Sequence, residues 1–237
     1  VIQSPFCFFL FIIKNRKVKG GQAMNYPEEL VQEATARMQN RPVEGFVAGQ
    51  GPRQPKLMLV GEAPGKTEIE NHIPFSGQAG KELMHALSLA GLSREEVYIT
   101  SAVRSRPYRT VERVNKRTQQ TEIVYPNRTP SKAEVFAHAP ILDYEIEHIQ
   151  PKLIATLGNI GLQRLLGHAY TISKNHGQLY TGPILRLNEQ MDAYEWSQKN
   201  YQVLPLFHPA AIFYNRTLAE TIHNDWLILA KWLKKKR

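Results

Sequence analysis

Four short apolar runs, each closing on a glycine or a turn and each followed by a helical stretch, constrain this chain more than any other feature. They are Lys56–Val60 (KLMLV), Val97–Val103 (VYITSAV), Lys152–Leu157 (KLIATL) and Val203–Phe207 (VLPLF). A strand buried on both faces reads as an unbroken apolar run, whereas a half-exposed strand alternates. Helical spacing places helices over Tyr26–Asn40, Gly77–Ala90, Ser131–Ile149, Asn159–Leu166 and Leu218–Lys235. Pro27 opens the first, Gly91 ends the second, and Ser131 with Glu134 forms a capping box at the third. Strands alternating with helices predict an α/β fold with a parallel sheet covered on both faces. Ligands in such folds sit beyond the carboxyl ends of the strands. Here those ends carry Gly61-Glu62-Ala63-Pro64-Gly65, Arg104-Ser105-Arg106-Pro107, Gly158-Asn159 and His208-Pro209.

The 237 residues suffice for one sizeable domain, and one cysteine, Cys7, excludes a disulfide framework and a cysteine metal site. The net charge of +9 is concentrated at the ends: residues 1–23 hold four basic and no acidic residues, and residues 231–237 hold five. The apolar run Phe6–Ile13 is too short to span a bilayer, and its positive charges follow it instead of preceding it as in a signal peptide. Gly20-Gly21 just ahead of Met24 reads like a translated ribosome-binding site. Residues 1–23 are therefore expected to be a non-native or disordered extension, with residues 24–237 as a single domain.

The loop Gly61-Glu62-Ala63-Pro64-Gly65-Lys66-Thr67 imitates a phosphate loop. Only three residues separate its glycines instead of four, Pro64 removes an amide donor, and Glu62 sets a negative charge where phosphate would lie. Nucleotide hydrolysis is disfavoured on these grounds.

The segments GEAPGKTE (61–68), IPFSGQAGKEL (73–83), VYITSAVRSRP (97–107), NRTPSKAE (127–134), PKLIATLG (151–158) and FHPAA (207–211) occur in one order. Together, over roughly residues 45–215, they resemble the family-4 branch of the uracil-DNA glycosylase superfamily. The resemblance implies a three-layer α/β/α sandwich around a four-stranded parallel sheet. It also implies a DNA-repair enzyme that flips a deaminated base, uracil foremost, out of the stack and hydrolyses its N-glycosidic bond without cutting the strand.

On that resemblance Phe75 stacks on the flipped base, and His208 donates a hydrogen bond to it as negative charge develops. Glu62 and Ala63 line the pocket floor. Better-known relatives carry a water-activating aspartate at the place of Ala63, so Glu62 or Glu68 is expected to supply the carboxylate. Asn127 falls on a family position near the site, although Asn is also an ordinary turn residue. Two departures follow from the same alignment. The four cysteines of the family's [4Fe–4S] cluster fall near Ala34, Arg37, Ser105 and His138, so no cluster and no metal are expected. Ser101 stands where the family has the Asn that reads uracil, which leaves open hypoxanthine or xanthine as the base, or a member that binds DNA with little or no catalysis.

Between Pro107 and Asn127 the chain is longer than the family pattern. Residues 104–132 hold eight basic side chains against two acidic ones, with Tyr108 and Tyr125 interleaved. Arg104, Arg106, Arg109, Arg113, Lys116, Arg117 and Arg128 are candidate phosphate contacts, and a hairpin with Asn115-Lys116 at its tip is expected within the basic insertion at 108–126. A merely solvated loop would carry similar charge. DNA is the expected partner, and a monomer in the bacterial cytoplasm the expected setting.

Overall fold

The computed structural model describes residues 17–18 and 21–235. The run Phe6–Ile13 and most of the expected extension lie outside the described residues. The strands are β1 Lys17–Val18, β2 Gly21–Ala23, β3 Val43–Glu44, β4 Gln50–Gly51, β5 Leu57–Gly61, β6 Val97–Ser101, β7 Arg106–Pro107, β8 Val111–Val114, β9 Thr121–Val124, β10 Ile154–Leu157, β11 Tyr180–Leu187 and β12 Tyr194–Leu206. The α-helices are α1 Glu28–Ala36, α2 Lys66–Asn71, α3 Gln78–Leu89, α4 Lys132–Ala137, α5 Ala139–Ile149, α6 Asn159–Leu166, α7 Ile172–Asn175, α8 Ala211–Tyr214 and α9 Ala219–Lys235.

The main sheet runs β1-β2-β4-β6-β5-β10-β12-β11. Its four central strands, β6, β5, β10 and β12, are mutually parallel and are the four apolar runs of the sequence. The sheet is wider than the expected four strands, because antiparallel strands extend both edges. Along β5, Leu57 and Leu59 face one core with α3 and α9, while Met58 and Val60 face the other with α5 and α6. That double burial is why β5 carries no polar alternation. The chain adds β6 on one side of β5 and then returns to place β10 on the other. The switch point therefore lies at the carboxyl end of β5.

Three local expectations need correction. The single helix over Ser131–Ile149 is two helices, broken at His138 with Pro140 in the first turn of α5. The Ser131–Glu134 capping box is present. The loop Gly61–Thr67 is shorter than expected, since its last two residues, Lys66 and Thr67, already belong to α2. The β11–β12 pair was not foreseen, because its outer strands mix polar and apolar residues.

One buried polar cluster ties several segments together. Glu145 Oε1 accepts from Tyr26 and from Tyr98 (3.0 Å), and Oε2 accepts from Thr100 (2.7 Å) and Arg104. Burial, reinforced by the carboxylate, pushes both phenols up, so each remains a donor. Arg104 is fully buried in this ion pair, so it cannot reach a DNA phosphate, contrary to expectation.

Candidate active site

The loops at the carboxyl ends of β5, β6, β10 and β12 bring the motif residues together. After β5 the chain runs through Glu62 and Ala63 to Gly65, which opens α2. Glu68, in the first turn of α2, is buried and uses both carboxylate oxygens: Gly65 N donates to Oε2 (3.0 Å) and Gly77 N to Oε1 (2.7 Å). One carboxylate thus fastens the Glu62–Ala63 loop to the loop that bears Phe75.

Phe75 has φ +53°, a left-handed conformation that an aromatic residue adopts only under constraint. Two residues supply it. Arg94 donates to Pro74 O (2.6 Å) and Phe75 O (3.4 Å). Gly80 lets the Phe75 carbonyl press onto α3, where a Cβ would come within 1.9 Å of the oxygen. The Phe75 ring covers Gly61, and its centroid lies 5.7 Å from that of His208. Neither Arg94 nor Gly80 was foreseen: Ser93-Arg94-Glu95-Glu96 reads only as a polar turn, and Gly80 as a residue inside a helix.

His208 follows the carboxyl end of β12. Ala210 N donates to its Nδ1 (3.1 Å), so Nδ1 is unprotonated and the ring proton sits on Nε2. Burial lowers the imidazole to about 4, partly opposed by the Glu68 charge. At neutral pH the side chain is thus a neutral imidazole with one N–H to donate. Burial pushes the Glu62 carboxyl up, with a hydrogen bond from Thr129 opposing it. The Ala63 methyl packs against the Met38–Val103–Ala137 cluster.

Ser101 is buried, and its hydroxyl donates to Val103 O (2.9 Å), so its one proton is committed within its own turn. Asn127 Oδ1 accepts from Arg106 Nε (2.5 Å), which fixes the amide orientation and turns Nδ2 toward Gly65. Arg106 is itself buried, donating also to Glu44 and to Tyr125 O. Arg128 forms a fork on Glu134 (2.6 and 2.8 Å) and donates to Tyr108 O (2.9 Å). Arg106 and Arg128 are therefore committed to internal partners, unlike the exposed Arg109, Arg113, Lys116 and Arg117. The expected hairpin is present as β8–β9 with residues 115–120 at its tip.

A [4Fe–4S] cluster takes cysteine thiolates, and the four aligned positions do not fit one. Ala34 is packed with Phe46 and Ile141, and Arg37 pairs with Glu33. His138 Nδ1 accepts from Arg104 N (3.2 Å), and its Nε2 faces Ser105 Oγ at 3.5 Å. Among the described residues no group of three or more His, Cys, Asp or Glu could hold a metal ion, and no helix is long and apolar enough to cross a membrane. A groove of about 770 Å³ between α5 and the β11–β12 pair includes none of the site residues.

Comparison with known proteins shows the family of the chain. A family model described as the uracil DNA glycosylase superfamily matches residues 48–233. The type-4 uracil-DNA glycosylase of Sulfurisphaera tokodaii is 33% identical over 181 residues, covering 76% of this chain and 71% of that protein. The type-4 enzyme of Archaeoglobus fulgidus is 30% identical over 196 residues, covering 81% and 84%. That of Thermotoga maritima is 30% identical over 197 residues, covering 83% and 86%. The matched span takes in every strand-end loop of the site, from Gly61 to His208, and with it the chain belongs to the uracil-DNA glycosylase superfamily.

Proposed function

We propose that this protein removes uracil, as a deaminated base in DNA, by hydrolysing its N-glycosidic bond in base-excision repair. The bond between the sugar C1′ and the base nitrogen breaks with its electron pair passing to the base, and water adds at C1′ as hydroxyl, its released proton balancing the one the base anion takes up. The base leaves and the strand remains intact at an abasic sugar. Charge thus builds up negative on the base and positive on the sugar, and the site answers both.

The observation that carries this reading is the His208 tautomer. Ala210 N occupies Nδ1, so the Nε2–H is left to donate to a base carbonyl as it becomes anionic. Phe75, held in place beside His208, supplies the stacking face for a flipped base. Of the two carboxylates Glu62 is the better partner for water or the sugar cation, because both Glu68 oxygens hold backbone amides. Ser101 has committed its proton, so reading of the base falls to Asn127 Nδ2 and the amides of the Glu62–Ala63 loop. Lys66 is exposed and faces Glu70, which supports a glycosylase without lyase chemistry. The packing at Ala34, Arg37, Ser105 and His138 supports a cluster-free enzyme, and iron content of the purified protein tests it. A monomer acting on DNA in the cytoplasm fits the same reading.

The experiment is base release from an oligonucleotide carrying uracil opposite guanine, with hypoxanthine and xanthine substrates alongside. Wild type should release uracil, and His208→Ala should lose about 10²-fold or more in rate, the scale of a missing oxyanion donor. Wild-type rates retained by His208→Ala would refute the assignment.

A further inference from the structure

The β8–β9 ribbon stands apart from the main sheet as a two-stranded element of its own. Such a ribbon is marginal in isolation, yet this one is fixed at both ends. At the tip, Asn115 Oδ1 accepts from Arg117 N (3.0 Å) and Thr118 N (3.4 Å), and Asn115 N donates to Gln120 O (2.9 Å). At the base, Tyr108 packs edge-on against Tyr125 with centroids 5.5 Å apart and bridges to Asn127, while Arg106 holds Tyr125 O. The ribbon therefore springs directly from the site.

Its two faces differ. Arg113 lies opposite Glu122 on one. Val114 and Ile123 share the other, and Tyr125 continues it by alternation. They are 54%, 57% and 52% exposed, so this face shows solvent an apolar side chain at tip, middle and base, with Thr121 opposite Val114 and Glu112 opposite Ile123 beside them. Four exposed cations, Arg109, Arg113, Lys116 and Arg117, accompany it. Phosphate contact alone would require the cations but not these apolar side chains.

We infer that the ribbon seats in the major groove of duplex DNA beside the flipped nucleotide, which rests on the glycosylase reading above. The major groove is roughly 12 Å wide and admits a two-stranded ribbon, whereas the minor groove is about half that. It also carries the thymine methyl groups, an apolar match for Val114 and Ile123. Extended, the segment from Tyr108 to Val114 would span about 20 Å, the rise of about six base pairs. The cations at the tip and base then lie over the flanking phosphates. A single strand offers no groove, so the ribbon makes the protein a reader of duplex context.

The test is binding, by fluorescence anisotropy, of full-length protein to a uracil-containing duplex and to the same strand unpaired. Val114→Thr with Ile123→Thr keeps β-branching and strand propensity but puts a hydroxyl in place of a methyl at 114 and of an ethyl at 123. Duplex affinity should fall about tenfold, and single-strand affinity far less. A thermal melt confirms that the variant is folded. Wild type should also bind poorly to a duplex whose major groove is filled by glucosylated 5-hydroxymethylcytosine. Equal losses on both DNA forms, no loss on either, or undiminished binding to the filled duplex would overturn the inference; no loss on either would also leave the apolar side chains to a protein partner. Wild-type base release is read separately, so failure of the glycosylase reading appears there and not in the binding ratio.

Discussion

Replacing Glu68 by glutamine separates the two roles a carboxylate could play in this site. In the structure its oxygens each accept one backbone amide, from Gly65 and Gly77. Glutamine keeps one acceptor oxygen and sets an NH₂ against the other amide. Hydrogen bonds to a charged group contribute about 1.5–3 kcal/mol each, and a stranded buried donor adds its desolvation cost. The expected loss is therefore about 2–4 kcal/mol, or a fall in Tm of about 5–15 °C for a chain of this size. Because the two loops carry Glu62 and Phe75, a displacement near 1 Å should also slow base release by about 10²-fold. If Glu68 is a tether, the acidic limb of the pH–rate curve should persist, moved only to lower pH because His208 loses the opposing Glu68 charge. Differential scanning calorimetry and rates across pH on the same preparation provide both readings. A variant that melts with wild type but loses the acidic limb of the pH–rate curve would show Glu68 to be the base, and the tether argument would be wrong.

Arg94→Met should release the Pro74 and Phe75 carbonyls and lower kcat/KM by about tenfold, with partial recovery in Arg94→Lys; equal rates in all three would refute the clamp. Arg113→Gln, Lys116→Gln and Arg117→Gln together should lower the slope of log K against log salt by about 3. Arg104→Gln should leave that slope alone and cost about 3–5 kcal/mol of stability by urea titration, because it strands Glu145. Burial lowers His138 to about 3 and His208 to about 4, against 6.5 when unfolded. The unfolded state then binds more protons in that window, so this stability is complete above about pH 6.5 and is lost as pH falls toward 3. Urea midpoints should drop between pH 7 and pH 5, and His138→Gln should flatten part of the drop; parallel slopes in both proteins would refute it.

What the sequence revealed followed from burial. Where the four central strands pair, including Val203–Leu206 of β12, they are covered on both faces, so their runs, broken only by Thr100, Ser101, Thr156 and Pro205, stood out. The β11 strand alternates buried and exposed residues around Gly182-Pro183 and gave no comparable run. Of the candidate site residues, Glu62, Ala63, Ser101 and His208 sit where strands end, whereas Glu68 lies in α2 and Phe75 and Asn127 on loops that only the motifs single out. Charge was the weak point. Arg104 and Arg106 counted with the exposed cations because their partners, Glu145 and Glu44, come from distant segments, and Arg128 because Glu134, six residues on, fell just beyond the basic stretch. A tally of charge along the chain cannot tell a paired guanidinium from a free one. Arg94 left no trace for a similar reason, since its partners are backbone carbonyls some twenty positions earlier.

The Glu145 cluster also bears on how this chain can change over time. Five buried side chains from three stretches, Tyr26, the Tyr98–Thr100–Arg104 segment and Glu145, share one set of bonds centred on the Glu145 carboxylate, with Arg104 Nε and Nη1 outside it. Altering one alone leaves a buried charge or donor unanswered, whereas exchanging the set for apolar residues of similar volume can be neutral. Contacting residues of this kind are strongly non-additive. Across descendants the five should therefore be inherited or replaced as a block, so that a lineage keeping Arg104 keeps Glu145.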